Sequence, residues 1–339
     1  MISISSIRFR IAFFGRRSAG TQLATAVIAA FYLAGCGAAA DGEYPSRPIT
    51  YIVPWNPGGG TDVTARALAT ALSEVLGQSV NVVNRTGGGG VVGHLALAQA
   101  APDGYTIGAM TVEITMMHWT GLTPLTVSDY SPLAMLINNP AAVTVRADAP
   151  WSTLEELLAA VRAEPGRFRA SGTSRGGIWD LARIGMLQAA GLPETALPWV
   201  PSQGAAPALQ QLISGGVDVV TASPIEVDAL RQAGQVRTLA VMADERMPAF
   251  PDIPTLKELG IDWSIGGWAA VAAPAGIPGE IRERLASAIQ EASSSPAYLD
   301  PMTQAGFHLE FMDADAVAAF LAEQDRQNGE LLRSAGLVP

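Results

Sequence analysis

The stretch Ile49-Thr50-Tyr51-Ile52-Val53-Pro54-Trp55-Asn56-Pro57-Gly58-Gly59-Gly60-Thr61-Asp62 decides how this chain folds. Ile49–Pro54 is a short apolar run rich in β-branched residues, which predicts a buried strand. From Thr61, Val63, Ala67, Leu68, Ala71, Leu72 and Val75 recur at helical spacing, and Gly77 stands where a helix C-cap belongs. A strand that passes through a glycine turn into a helix is the opening unit of an α/β sheet.

Working outward, the unit repeats. Val80–Val83 and Tyr105–Met110 read as strands and Val91–Ala100 as the helix between them. After Pro150 the pattern restarts with a capping box at Ser152-Thr153-Leu154-Glu155, opening a helix expected to run to Gly166. Strands follow at Phe168–Ala170, Leu197–Val200, Val217–Thr221 and Val236–Met242, with helices at Ile178–Ala190, Ala205–Ile213 and Ile225–Ala233. Strand Trp268–Ala272 and helices Pro278–Ser294 and Ala314–Leu332 complete the chain; one face of the last is charged and the other apolar, which suits docking on a domain. The expected fold is α/β and two-lobed, of the type II periplasmic-binding-protein kind, each lobe a mostly parallel sheet flanked by helices. Crossings expected at Val143–Pro150 and Asp262–Gly267 give lobe 1 as residues 47–145 plus 268–339 and lobe 2 as 146–267.

Chemistry belongs in the loops. Thr86-Gly87-Gly88-Gly89-Gly90, Ser171-Gly172-Thr173-Ser174-Arg175-Gly176-Gly177 and Pro201-Ser202-Gln203-Gly204-Ala205 repeat the theme of the first glycine turn. All four lie between a strand end and a helix start, where open α/β sheets place ligands. The first N–H groups of a helix lack intrahelical partners and sit at the positive end of its dipole, and glycine lets a guest approach the backbone. A hydrogen bond to a charged group contributes about 1.5–3 kcal/mol, so three or four suffice for micromolar binding, about −8 kcal/mol, after the cost of association. One such loop is as well explained by a tight turn; four together favour an anion site.

Residues 1–35 hold Arg8, Arg10, Arg16 and Arg17, no acidic residue, and a 13-residue apolar run from Leu23 to Gly35. A membrane span needs about 20 apolar residues, so this reads as an export signal. The run ends in Leu33-Ala34-Gly35-Cys36, similar to a bacterial lipobox, which implies cleavage before Cys36 and its lipidation; residues 36–46 then form a tether. Cys36 is the only cysteine, so no thiol remains for an internal disulfide, catalysis or metal binding. Without the signal the chain carries 17 basic and 31 acidic residues, a net charge of −14, which argues against nucleic acid as partner. Lys257 is the one lysine, which excludes a Walker-type phosphate loop.

Tyr44-Pro45-Ser46-Arg47-Pro48-Ile49, Pro54-Trp55-Asn56-Pro57-Gly58-Gly59-Gly60-Thr61-Asp62, Asn84-Arg85-Thr86-Gly87-Gly88-Gly89-Gly90 and Pro102-Asp103-Gly104-Tyr105-Thr106 resemble the Bug-type solute receptors of tripartite tricarboxylate transporters. Gly204-Ala205-Ala206-Pro207-Ala208-Leu209, Leu239-Ala240-Val241 and Pro251-Asp252-Ile253-Pro254-Thr255 extend the resemblance over the whole mature chain. It implies a two-lobed receptor closing over a carboxylated small molecule, whose carboxylate is held by backbone amides of the two glycine loops of the first lobe. Asp180 stands where the family often has His, Ser202-Gln203-Gly204 where it often has Tyr-Lys-Gly, and Ser223 or Pro224 where an Asn is usual, so the second-lobe contacts transfer poorly.

Two enzyme motifs compete. Gly172-Thr173-Ser174-Arg175-Gly176 matches a nucleophile elbow, but Ser174 would need His308 as base, from another domain. Gly88-Gly89-Gly90-Val91-Val92-Gly93 with Glu113 twenty residues on matches a dinucleotide fingerprint, weak inside a run of glycines. His94, His118 and His308 are isolated, which does not favour a metal. His94 is read as a partly buried structural residue, Asp62 as a helix cap, Trp55 and Trp179 as core or cleft wall, and Arg175 as either a carboxylate partner or solvated.

The reading is therefore a lipid-anchored periplasmic receptor, monomeric, without enzymatic activity, cofactor or metal, that binds a small carboxylated solute and serves the membrane subunits of a tripartite transporter. The alternatives are a secreted serine hydrolase using Ser174 and a ligand-binding sensor for a membrane signalling partner. The expected ligand-binding residues are Asn56, Gly59, Gly60, Thr61 and Asp62, then Gly88, Gly89 and Gly90, then Ser171, Thr173, Ser174, Gly176 and Gly177, then Ser202, Gln203, Gly204, Ala205 and Ser223, with Cys36 as the lipid site.

Overall fold

The computed structural model describes Tyr44–Pro339. The expected export signal and Cys36 lie outside the described residues. Tyr44, expected in the tether, is fixed to the body: its hydroxyl donates to Gly104 O at 2.6 Å and its ring meets Tyr105 edge-on.

The first glycine unit folds as strand β1 (Ile49–Val53) and helix α1 (Gly60–Leu76), with Gly77 left-handed at the C-cap. Strand β2 (Val80–Asn84), helix α2 (Val91–Ala98) and strand β3 (Thr106–Thr111) follow. The second sheet's units are α3 (Leu154–Ala163), β6 (Ala170–Ser171), α4 (Ile178–Ala189), β7 (Trp199–Val200), α5 (Ala205–Ile213), β8 (Val219–Ala222), α6 (Pro224–Gln232) and β9 (Val236–Val241). Two strands unanticipated from the sequence, β4 (Tyr130–Pro140) and β5 (Ala142–Arg146), stand between these groups. The chain closes with β10 (Gly266–Pro274), α7 (Gly279–Ser293), the unanticipated pair α8 (Pro296–Gln304) and β11 (Leu309–Asp313), and α9 (Ala314–Ser334).

One sheet has the order β11-β4-β10-β3-β1-β2 and the other β7-β6-β8-β5-β9. β1, β2, β3 and β4 share a direction that β10 and β11 oppose. In the second sheet only β5 runs against the rest. The reversed inner strands, β10 and β5, are those on which the chain has just arrived from the other sheet. The sheets exchange chain at Ala141, ahead of the expected Val143–Pro150, and Ala141, Met242 and Ile265 tie the crossings together through Met242 N–H to Ala141 O, Ala141 N–H to Ile265 O and Ile265 N–H to Met242 O, at 2.7–3.0 Å.

Burial follows the pleat of β1. Ile49, Tyr51 and Val53 enter the core under α1, with Leu68 and Leu72 of that helix fully buried, while Ile52 faces the core continuous with the second sheet. Burying a leucine of this kind contributes about 2 kcal/mol. α1 packs on α7 and α8, and α9 packs across β4 and reaches α4. One capping assignment shifts by a residue: Thr153, not Ser152, caps α3, because Glu156 rather than Glu155 reaches back to accept the N–H groups of Ser152 and Thr153. The helix ends at Ala163, short of Gly166.

Candidate functional site

Between the two sheets lies a cavity of about 220 Å³. Its walls are assembled from helix starts. Asn56 to Thr61 bring in the beginning of α1, Ile178 and Trp179 that of α4, Ala205 and Ala206 that of α5, and Ile225 and Glu226 that of α6. The first intrahelical bonds made by α1, α4 and α5 come from Val63 N–H to Gly59 O, Asp180 N–H to Gly177 O and Ala208 N–H to Gly204 O. The amides ahead of them, of Gly60 and Thr61, Ile178 and Trp179, and Ala205 and Ala206, have no partner in a helix ladder, and all six residues line the cavity. Apolar surface comes from Trp55, Ile137, Trp268 and Phe307. No Lys, Arg or His is among the described residues lining it.

Asp62 organises the first turn from behind. It is 2% exposed, and its carboxylate accepts Gly58 N–H at 2.9 Å, the Arg66 guanidinium at 2.9 and 3.0 Å and Asn84 Nδ2 at 2.8 Å. Burial works against its ionisation, but the hydrogen bonds from Arg66, Gly58 and Asn84 outweigh it and hold the carboxyl below its usual range. Asp180 does the same for the third loop, accepting Gly176 N–H at 2.9 Å and pairing with buried Arg183.

At the cavity wall, Thr111 joins two titratable groups. Its N–H donates to His94 Nε2 at 3.2 Å and its hydroxyl to Glu113 Oε2 at 2.6 Å. His94 Nδ1 faces Gly90 O at 2.9 Å, so the proton sits on Nδ1 and the ring is neutral. Burial lowers this histidine to about 4 and pushes Glu113 up to about 7. α9 steadies the segment that carries Glu113: Asn328 Nδ2 donates to Thr115 Oγ1 at 2.8 Å.

Of the residues read from the sequence, Asn56, Gly59, Gly60, Thr61, Thr173, Gln203, Gly204, Ala205 and Ser223 line the cavity, as does Trp179. Others take different places. Asp62 is spent on Gly58 and Arg66. Ser171 is fully buried and donates to Val200 O at 2.7 Å, and Ser202 donates to Gly204 O at 3.1 Å. Gly87, Gly88, Gly89 and Gly90 all have positive φ, from 59° to 127°, which only glycine holds without strain. This second loop lies beside the cavity: Gly90 packs against Trp55, Met117 and His94, and Gly89 faces Ser174 in a small recess that Gly176 and Gly177 share. Exposed Arg175 lies at that recess, away from the main wall. Ser174 is there too, whereas His308 lines a groove beyond the crossing strands, so the two do not form a hydrolase pair. Gly93, third glycine of the dinucleotide-like motif, packs against the backbone of Pro54 and Arg85.

Sequence reasoning missed Thr111, Glu113, Asn139, Ile225, Glu226, Gly267, Trp268 and Phe307 as lining residues. Only Gly267 carried a signal, a paired glycine entering a strand; it leaves room for the Trp179 ring, 3.0 Å from where a Cβ would stand.

Residues 64–337 match the model of the tripartite tricarboxylate transporter family receptor, TctC. The chain belongs to this family. BugT of Bordetella pertussis is 32% identical over 303 residues, 86% of this chain and 90% of that one. A TctC solute-binding protein from Polaromonas, solved without ligand, is 37% identical, with a TM-score of 0.68 over 86% of this chain and 99% of its own. The Rhodopseudomonas palustris protein Rpa4515, solved with adipate, is 26% identical, with a TM-score of 0.80 over 88% of this chain and all of its own (100%). TctC receptors bind solutes and are not enzymes, and the Ser174 elbow in this member is a helix-entry turn.

Proposed function

We propose that this TctC receptor is an extracytoplasmic, periplasmic binding protein that captures a small carboxylated solute between two lobes and delivers it to the membrane subunits of a tripartite transporter. One lobe is built on the six-stranded sheet and the other on the five-stranded sheet, with the crossings at Ala141 and Ile265 as the hinge. The observation that carries this reading is the convergence of helix starts, with amides outside the helix ladders, on a cavity that no basic side chain lines among the described residues. A carboxylate placed there receives charge-assisted hydrogen bonds from main-chain donors fixed before the guest arrives. Gly59, Gly60 and Thr61 hold it from one lobe, and Ala205 and Ala206 from the other. Gln203, Thr173 and Ser223 supply side-chain contacts, and the Gly89–Ser174 contact lies at the rim where closure joins the lobes. Adipate in the related Rpa4515 supports the ligand class. Lipid on Cys36 keeps the receptor at the membrane.

Thermal unfolding against di- and tricarboxylates tests this. A ligand at 100 times its Kd stabilises the folded state by about 2.7 kcal/mol. At least one carboxylate should raise Tm, and Gly60→Leu, whose side chain grows toward Phe307 and the cavity, should abolish the rise. No shift with any carboxylate would remove the proposal. Cys36→Ser should release the protein from the membrane fraction; unchanged membrane retention would overturn the anchor alone.

A further inference from the structure

A site designed only for negative charge has no use for two carboxyl groups, yet two face this cavity. Glu113, which follows β3, is 5% exposed. Its Oε2 accepts the Thr111 hydroxyl, and no other residue among those described donates a hydrogen bond to its Oε1. Glu226 enters from α6 in the other sheet, where its Oε2 accepts the Ser223 N–H and O–H at 3.0 and 3.1 Å. Asp62 and Asp180 are each balanced by an arginine, Arg66 and Arg183, but among the described residues neither Glu113 nor Glu226 has a basic partner. Burial raises both carboxyls, and the nearby charge of Glu226 raises Glu113 further. The wall holds two more polar atoms, Thr173 Oγ1 and Trp268 Nε1, both buried and without a hydrogen-bond partner among the described residues.

The helix starts divide in the same way. The third residues of α1, α4 and α6 are Asp62, Asp180 and Glu226, each placing a carboxylate at the positive end of its helix. The third residue of α5 is Pro207, so the positive end of α5 is uncompensated, with Ala205 and Ala206 on the cavity wall. The cavity thus contains both a bare positive helix end and two acids with no basic side chain paired to them among the described residues.

We propose that the guest is an amino-carboxylate: its carboxylate rests on the main-chain amides that open α1 and α5, and its ammonium group sits between Glu113 and Glu226. The inference rests on the carboxylate-receptor reading and narrows it. An ammonium has three donors and no acceptor, which suits Glu113 Oε1 and the carboxyl of Glu226 at once. A plain dicarboxylate would bring a further negative charge beside two acids already costly to ionise.

Calorimetric titration with matched pairs that differ by one ammonium tests this: succinate with aspartate, glutarate with glutamate, and 3-phenylpropionate with phenylalanine. In at least one pair the amine-bearing member should bind at least tenfold more tightly. Glu113→Gln and Glu226→Gln should each reduce that preference at least tenfold, with the amine-free acid bound as well or better. Equal or tighter binding of the amine-free member in every pair overturns this inference and leaves the receptor reading standing; that ratio is measured on the unaltered protein and does not depend on a variant folding. Binding of no member of any pair overturns both.

Discussion

Asp62 and Asp180 occupy the same position in the helices that open from the two sheets, and each accepts a glycine N–H four residues earlier, from Gly58 and Gly176, at 2.9 Å. Each pairs with an arginine on the next turn, Arg66 or Arg183. A carboxylate at the third helical position therefore freezes the glycine turn ahead of it, and the turn is what presents free amides to the cavity. Asp62→Ala removes the acceptor for Gly58, Arg66 and Asn84, and should cost about 2–3 kcal/mol in urea denaturation at pH 7. Because the folded carboxyl titrates below its unfolded value, its contribution is present at neutral pH and disappears as pH falls through the folded value. Asp62→Asn should therefore lose stability mainly above pH 4, and a loss of equal size at every pH would contradict the assignment.

His94 and Glu113, coupled through Thr111, bias stability in opposite directions. His94 falls from 6.5 to about 4 on folding, so the unfolded chain binds the extra proton between those values and stability rises with pH. Glu113 climbs from 4.5 to about 7, so the folded chain binds the extra proton there and stability falls with pH. Each full proton difference is about 1.4 kcal/mol per pH unit, so the two slopes nearly cancel from pH 4.5 to 6.5. Glu113→Gln removes the falling limb alone. Its stability relative to the parent, from urea midpoints, should grow by about 3 kcal/mol between pH 4.5 and 7. A constant difference would show that Glu113 titrates alike in the folded and unfolded chain.

Gly93 sets how closely α2 approaches β1. A Cβ there would stand 2.5 Å from Pro54 Cα and 2.6 Å from Arg85 O, both backbone, so neither can rotate away. Gly93→Ala should cost at least about 3 kcal/mol, at the upper end for overpacking, because the strand end and second loop must both shift. Gly279→Ala, at the start of α7 with nothing within 4 Å, should instead stabilise by about 0.4–1 kcal/mol. Thermal melts of the two variants should move in opposite directions.

Much of the fold was legible because each α/β unit advertises itself locally. Periodicity in Val63–Val75 and the glycines that cap α1, α2, α4 and α5 fix helix, turn and strand without reference to the rest of the chain. β4 was not legible: Tyr130–Pro140 contains Pro132 inside the strand and Asn138, Asn139 and Pro140 at its end, and it is held by β10 and β11 from far along the sequence. The same limit applies to the site. Gly60, Gln203 and Ala205 were visible as loop residues, but Glu113 and Glu226 look like ordinary acids beside a strand and in a capping box. What makes them unusual is the shared cavity, which exists only after the two sheets face each other.

The bare start of α5 allows helix stability and ligand binding to be separated. Ala206 is exposed, lines the cavity and is the second residue of the helix. An acid introduced there meets the dipole that Pro207 leaves uncompensated, and Ala206→Asp should stabilise the empty protein by about 0.3–1 kcal/mol. The same charge would stand beside the guest's carboxylate. Like charges about 4 Å apart in a partly screened site repel by about 4 kcal/mol, which is more than a hundredfold in affinity. Ala206→Asn, of equal size and without charge, should lose less than about tenfold, or 1.4 kcal/mol. Titration with whichever carboxylate raises Tm in the parent separates the outcomes: similar losses in Asp and Asn would mean that bulk, and not charge, governs this wall, and that the amides of α5 do not hold the carboxylate.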